Sequence, residues 1–485
     1  SLFAAYHTPN GFWRQLEAGA MAMGKRDTEQ QQDLFVTHDK LPRSPGHVFY
    51  DKLNTLLREG GFDAHVEALC EPYYAKGRGR PSVPPGVYFR MLLVGYFEGI
   101  GSQRGIAWRC SDSLSLRQFL GIPPGEESPD HSSLSYIRNR LPLTVHEAVF
   151  VWFLALARDK KLLQGQTVAV DSTTLEANAA MKSIVRRDTG EDWNDYLARL
   201  MQEQGLIGKD DQRPSDEELR KFDKGRKNKK VSNEEWQSPT DPDSRIARMK
   251  DGTTHLAYKA EHVVDLETEI ILAAEIYHAD FHDTATLEDS LHQAQLNQQE
   301  AGSSQEIQEV AADKGYHAVE TIANLDEHTT YRTYIPEPES RHQRVWSDKS
   351  PEQKRAVQNN RRRTRGDHGK HLQRLRSERV ERSFAHVCET GGARRTWLVG
   401  IEKVRKRYLM SAVAHNLGVI MRSLFKMGTP RGRQQFRTDL AGVVSSLYLA
   451  WLAVNRLINI PWRPDAAPTA RRVTTKAGFS FPFAA

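Results

Sequence analysis

Three acidic residues far apart in the chain stand in contexts that could bring them to one place. Asp171 ends the apolar run Thr167-Val168-Ala169-Val170, and Asp313 ends Val310-Ala311-Ala312 and opens Asp313-Lys314-Gly315-Tyr316. Glu381 lies in Arg379-Val380-Glu381-Arg382-Ser383-Phe384, inside a dense basic stretch. A carboxylate at the end of a buried strand is held rigidly beside a cleft. Two such strand ends and a Glu on a packed helix offer the hard oxygen ligands that Mg²⁺ prefers. Two divalent ions held roughly 4 Å apart can stabilise both the attacking and the leaving oxygen of a phosphodiester displacement. The expected chemistry is metal-dependent cutting and joining of DNA. Asp171 would bridge both ions, and Asp313 and Glu381 would each hold one. Mg²⁺ is the expected cofactor, with Mn²⁺ as a substitute.

A lone Asp after an apolar strand is more often a turn former or a helix cap. The basic stretch around Glu381 adds weight to the trio. Between Arg361 and Arg382, nine Lys or Arg residues stand against three acids. Such residues gain affinity by displacing counterions from phosphates. Arg361, Arg362, Arg363, Arg379 and Arg382 are therefore expected to contact DNA. A second basic face is expected on Leu134 to Leu141, a helix capped by Asp130 that carries Arg138 and Arg140.

The elements that must position these residues follow from the pattern. Residues 1–45 read as an irregular arm. Residues 46–160 read as an all-helical DNA-binding or dimerisation domain, with helices over Val87 to Tyr96, Ser102 to Arg109 and Leu114 to Leu120. Residues 161–425 read as the catalytic domain, with polar insertions over about 183–250 and 337–370. The first insertion contains Lys221-Phe222-Asp223-Lys224-Gly225-Arg226-Lys227-Asn228-Lys229-Lys230. So charged a run is expected to be solvated or disordered. Residues 426–485 read as a C-terminal helical tail.

Without its insertions, the catalytic region alternates as strand, strand, strand, helix, strand, helix, strand, helix. The strands are expected to end in Asp171, to span His255 to Val264 and Glu269 to Tyr277, to deliver Asp313 over Ile307 to Ala312, and to run over Tyr331 to Ile335. That succession predicts an RNase H-like mixed sheet flanked by helices. The first and fourth strands are neighbours in such a sheet, which would set Asp171 beside Asp313. Glu381 would enter from the helix packed on that sheet.

Composition bounds the rest. The chain has 485 residues, a formal net charge of +6, 39% apolar and 9% aromatic residues, enough for two to four globular domains. Cys70, Cys110 and Cys388 are isolated, which argues against a disulfide framework or a zinc site and for a reducing, cytoplasmic setting. No secretory signal is expected in residues 1–22. The apolar stretch Leu440 to Val454 is shorter than the roughly 20 residues that span a bilayer, so no membrane partner is expected.

Four blocks together resemble the DDE transposases of bacterial insertion sequences. They are Val168-Ala169-Val170-Asp171-Ser172-Thr173, Ala311-Ala312-Asp313-Lys314-Gly315-Tyr316, Arg376-Ser377-Glu378-Arg379-Val380-Glu381-Arg382-Ser383-Phe384, and His415-Asn416-Leu417. The stretch Pro81 to Leu141 is similar to the helical domain that precedes the core in that group. The resemblance implies binding to double-stranded DNA at terminal inverted repeats, release of a 3′-hydroxyl, and its joining to target DNA in a homodimeric complex on the bacterial nucleoid. It places Lys259, Asp283 and Arg376 near the active site, the first and last as DNA contacts. It makes Trp346 a candidate to stack a flipped base. Position 388, where many relatives carry Lys, is Cys. Glu378 rivals Glu381 as third ligand, but reads more simply as a salt-bridge partner within the helix. Two other readings remain: an RNase H-like nuclease without strand transfer, and a domesticated DNA-binding protein without catalysis.

Overall fold

The computed structural model describes residues 47–75, 82–123, 125–208, 212–226, 231–249, 252–339 and 346–430. The arm expected over 1–45 and the tail helix expected at 438–458 lie outside the described residues.

The N-terminal region is helical. It runs through α1 (Val48–Glu59), α2 (Phe62–Cys70), α3 (Pro85–Glu98), α4 (Gln103–Asp112), α5 (Leu114–Leu120), α6 (His131–Arg140) and α7 (Leu143–Asp159). Local chemistry sets the boundaries. Ser102, Ser113 and Asp130 each accept a backbone N–H at a helix start, a contribution of about 1 kcal/mol per cap. Pro85 opens α3, and Gly99 closes it at φ 71°, the left-handed conformation that glycine adopts without strain.

β1 (Thr167–Glu176) enters the sheet next. The chain then makes β2 (Val185–Arg186), α8 (Trp193–Glu203), α9 (Asp216–Gly225), β3 (Trp236–Gln237) and β4 (Arg245–Arg248). The insertion expected to be solvated is thus folded over much of its described length. Leu197, Met201 and Leu219 form a small core of their own, and Trp236 is buried against Trp193 and Tyr196. Apolar residues recurring at helical spacing overrode the charge count. Ser215 and Glu218 make a reciprocal capping box, a start signal legible in Ser-Asp-Glu-Glu.

After the insertion come β5 (Thr254–Asp265), β6 (Ile271–His278), α10 (Asp283–Glu300), β7 (Glu309–Ala312), α11 (Val319–His328) and β8 (Arg332–Tyr334). The chain continues through α12 (Pro351–Arg365), α13 (Asp367–Phe384), a π-helical turn over Ala385–Thr390, and α14 (Ile401–Phe425). The second insertion is therefore partly helical too, since Ser350 and Gln353 cap α12 reciprocally.

The sheet order is β4-β5-β1-β7-β8, with β6 also paired to β5. β1 runs antiparallel to β5 and parallel to β7, and β7 runs parallel to β8. This is the RNase H-like mixed sheet, with β4 added from the insertion. Val168, Ala169 and Val170 of β1 are fully buried, as are Val310, Ala311 and Ala312 of β7. Strands covered on both faces read as unbroken apolar runs. Residues alternate between the two faces. The face bearing Ser172 and Glu261 meets α10, and the face bearing Asp171 and His262 meets α13 and α14.

Candidate active site

Asp171 and Asp313 come from adjacent parallel strands. The last registered pair is Val170 with Ala312, so the next positions are Asp171 and Asp313. Asp171 lies in the middle of β1 rather than at its expected end, because the strand stays paired to β5 as far as Glu176, and Asp313 lies just past the end of β7. Neighbouring strands lie about 4.8 Å apart, and residues in register point to the same face. Asp171 is partly buried and Oδ1 accepts from the Ser172 amide at 2.8 Å. Asp313 caps the single turn Lys314–Tyr316 with its carboxylate.

α13 crosses the sheet beside these positions. Gln373 donates to the carbonyls of Ala312 (3.2 Å) and Tyr334 (2.5 Å). One turn on, Arg376 Nη1 donates to Asp171 Oδ2 at 2.7 Å, while its Nε is held by Gln373 at 3.2 Å. Ser383 then meets His262 at 2.8 Å. The face of α13 packed on the sheet thus runs through Leu372, Arg376, Val380 and Ser383. Glu381 lies off that face, exposed, and its side chain makes no hydrogen bond or ion pair among the described residues. Glu378 pairs with Arg382 at 2.5 Å.

Two of the three carboxylates are therefore brought side by side. The third stands on the flank of the helix that crosses them. Among the described residues, no group of three or more His, Cys, Asp or Glu side chains is disposed to hold a metal ion. The all-oxygen donors suit a hard divalent cation, but a guanidinium now occupies the position beside Asp171.

Behind Asp171 and Asp313 lies a polar cluster whose geometry the sequence did not disclose. Lys259 Nζ lies 2.8 Å from Asp283, 3.2 Å from Glu261 and 2.8 Å from Thr286 Oγ1. Tyr316 donates to Glu261 at 2.9 Å, and Ser172 donates to Asp283 at 3.0 Å. Ser172 follows Asp171, and Tyr316 closes the turn after Asp313, so the cluster ties both acidic positions to α10. Burial, then the charges of Glu261 and Asp283, push the Tyr316 hydroxyl well above its ordinary pKa, so it stays a hydrogen-bond donor. A Cβ on Gly315 would sit 2.7 Å from Asp283 Oδ2, which explains a glycine there.

This arrangement corrects one expectation. Lys259 is buried and ion-paired, with no surface to offer a phosphate, because an inward position on β5 carries it under α10. The other expected DNA contacts are placed unevenly. Arg140 is exposed and lies over Tyr74 at 4.7 Å. Arg138 is partly buried, and its Nε has no hydrogen-bond partner among the described residues. Arg361 makes a two-pronged pair with Glu337 (3.0 and 2.9 Å) and lies 5.9 Å from the ring of Trp346. Trp346 itself is partly buried against the main core. Arg363 is held by Thr333, Arg382 bridges Glu269 and Glu378, and Arg379 is partly buried. Arg362 is exposed, as are Arg365, Lys370 and Arg374, which the sequence reading did not single out.

The strand order, with Asp171 inside β1 and Asp313 just past the neighbouring β7, is that of an RNase H-like fold. Two family models match the chain: the Transposase domain (DUF772) over residues 36–140, and the Transposase DDE domain over residues 338–421. These two matches support an insertion-sequence DDE transposase, and at the coarse level a DNA transposase. The second match contains Glu381, whereas Asp171 and Asp313 lie outside both matched segments. No curated protein and no solved structure matches the chain. No single helix among the described residues is long and apolar enough to cross a membrane.

Proposed function

We propose that this transposase cuts a phosphodiester at the element ends and joins the freed 3′-hydroxyl to target DNA, using Asp171, Asp313 and Glu381. The observation that carries the reading is the register of β1 and β7, which makes Asp171 and Asp313 the next residues after a buried parallel pair. Divalent metal, Mg²⁺ or Mn²⁺, bound by these carboxylates would lower the pKa of a water or hydroxyl nucleophile and neutralise the leaving oxygen.

The chain's own residues do the positioning. The Lys259–Glu261–Asp283 cluster holds Ser172 and Tyr316, and through them the two acidic positions. Gln373 fixes α13 across β7 and β8. Arg376 orients Asp171 by a charge-assisted bond. Glu381, its side chain without a partner among the described residues, is the carboxylate that must turn inward to complete the trio. The exposed cations Arg362, Arg365, Lys370 and Arg374 give the nearby surface affinity for the DNA backbone. Terminal inverted repeats and target DNA would be held by a homodimer at the nucleoid.

The test incubates the full chain with Mg²⁺ and DNA carrying the element ends. Cleavage with strand-transfer products is expected. Asp171→Ala and Asp313→Ala should each lower cleavage by at least about a thousandfold, the scale of losing charge stabilisation in a reaction centre. Both should leave DNA binding within a few-fold. Near-normal cutting by either variant overturns the assignment, and cutting without joining would leave a nuclease.

A further inference from the structure

A cavity of about 270 Å³ lies on the helical side of the molecule, between α3, α4 and α6, the Gly391-Gly392 turn and α14. Asp171, Asp313 and Glu381 do not line it. Its wall carries three cations, Arg138, Lys406 and Arg407, and three aromatic rings, Tyr88, Tyr96 and Trp397. From these residues we infer a binding site for a nucleoside phosphate, presented either as one nucleotide of a DNA strand or as a free mononucleotide.

The cations select an anion. Lys406 is buried and is neutralised by Glu402 at 2.6 Å, but among the described residues neither Arg138 nor Arg407 has a carboxylate partner. Arg407 spends one hydrogen bond on the Gly392 carbonyl (2.9 Å) and one on the Arg395 carbonyl (3.4 Å). These contacts fix the plane of its fork and leave donors over. Arg138 offers Nε. Burial, and then the charge of Arg138, bring the Arg407 pKa down to about 10. Two like charges so placed are relieved by an anion between them.

The rest of the wall selects a flat ring. Leu92, Ile106 and Met410 give it apolar surface. Trp397 stands at the rim, 53% exposed, with Arg395 over its ring at 4.9 Å. Gly101 stands beside Arg407 and Trp397, where a Cβ would lie in ordinary contact, 3.4 Å from Arg407 Nη2 and 3.5 Å from Trp397 Nε1. Small-molecule pockets run upward from roughly 300 Å³, so this one admits a single nucleotide and little more. Stacking on an aromatic ring contributes about 1–3 kcal/mol per base and tolerates any base.

The test is calorimetry on the full chain without divalent metal, so that it fails or succeeds independently of the cleavage reading. The probes are thymidine 5′-monophosphate, a short oligothymidylate and inorganic phosphate. The monophosphate is expected to bind at least about tenfold more tightly than phosphate, the ratio that one stacked base supplies. Arg407→Met and Trp397→Ala should each weaken it about tenfold. Competition between monophosphate and oligothymidylate supports one site open to both sources. Oligothymidylate binding that both variants weaken, without monophosphate binding, supports a strand nucleotide alone. Phosphate binding as tight as the monophosphate, no binding of either nucleotide probe, or no effect of Trp397→Ala overturns the proposal. Should Arg407→Met fail to fold, Trp397→Ala, at a half-exposed position, decides the matter.

Discussion

At the scale of single residues, the contact between Arg376 and Asp171 sets the terms. A guanidinium 2.7 Å from the carboxylate satisfies a charge that divalent metal would also claim. The two cations compete, and charge-assisted hydrogen bonds contribute about 1.5–3 kcal/mol. Arg376→Gln is therefore expected to tighten Mn²⁺ binding roughly tenfold, read by calorimetry or by electron paramagnetic resonance of the free ion. Unchanged Mn²⁺ affinity would mean that Arg376 does not guard this position. The third carboxylate is separable in the same way. Glu381→Ala should remove cleavage at little cost in stability, since the side chain is exposed. Glu378→Ala should leave cleavage within a few-fold, having lost only an ion pair with Arg382 on the helix surface. The reverse pattern would transfer the role to Glu378.

At the scale of elements, two asparagines stitch helices to backbone. Asn416 of α14 accepts from the Ile271 amide at 2.8 Å and donates to its carbonyl at 2.9 Å. Asn360 of α12 does the same at Ile335, at 3.0 and 2.8 Å. Both are fully buried. Asn416→Ala should cost about 2–4 kcal/mol, because two buried backbone groups lose their partners. A urea midpoint that hardly moves would contradict this. The strand order was legible because the buried part of each strand is a short apolar run, although β1 continues five residues past Asp171, where the sequence reading ended it, to Glu176. The place of Asp171 beside Asp313 followed from that order alone. What escaped was side-chain placement across the sheet. Nothing local in Lys259 marks it as buried, and its partners Glu261, Asp283 and Thr286 come together only through β5 and α10. The first insertion was misjudged because its charge hid widely spaced aromatic residues that find each other in three dimensions.

At the scale of the whole molecule, buried histidines couple folding to pH. Burial pushes His146 down to about 4 and His415 to about 3, and holds His262 well below its ordinary value. All three are neutral when folded and take up protons when unfolded below about pH 6.5. Their stabilisation is complete above that pH and is lost as pH falls toward the folded values. Glu275, raised to about 7 by burial beside Arg405, works in the opposite sense between its unfolded value and 7. His65 and His386, also pushed down by burial, act with the three histidines, so unfolding near pH 5.5 takes up at least about two protons, or about 2.7 kcal/mol per pH unit. The melting temperature should therefore fall steeply from pH 7 to pH 5. His146→Gln, by removing one of those protons, should make the slope shallower. A flat profile for the parent chain would show that these histidines are not held neutral.

The pairing of β1 with β7 also carries a cost during biosynthesis. Thr167 and Glu309 are registered partners 142 residues apart (309 − 167). At about 5–20 residues per second, a ribosome needs roughly 7–28 s to deliver the second strand after the first. Throughout that interval an apolar ribbon waits with an open edge. The nascent polypeptide is thus a natural client for holdase chaperones.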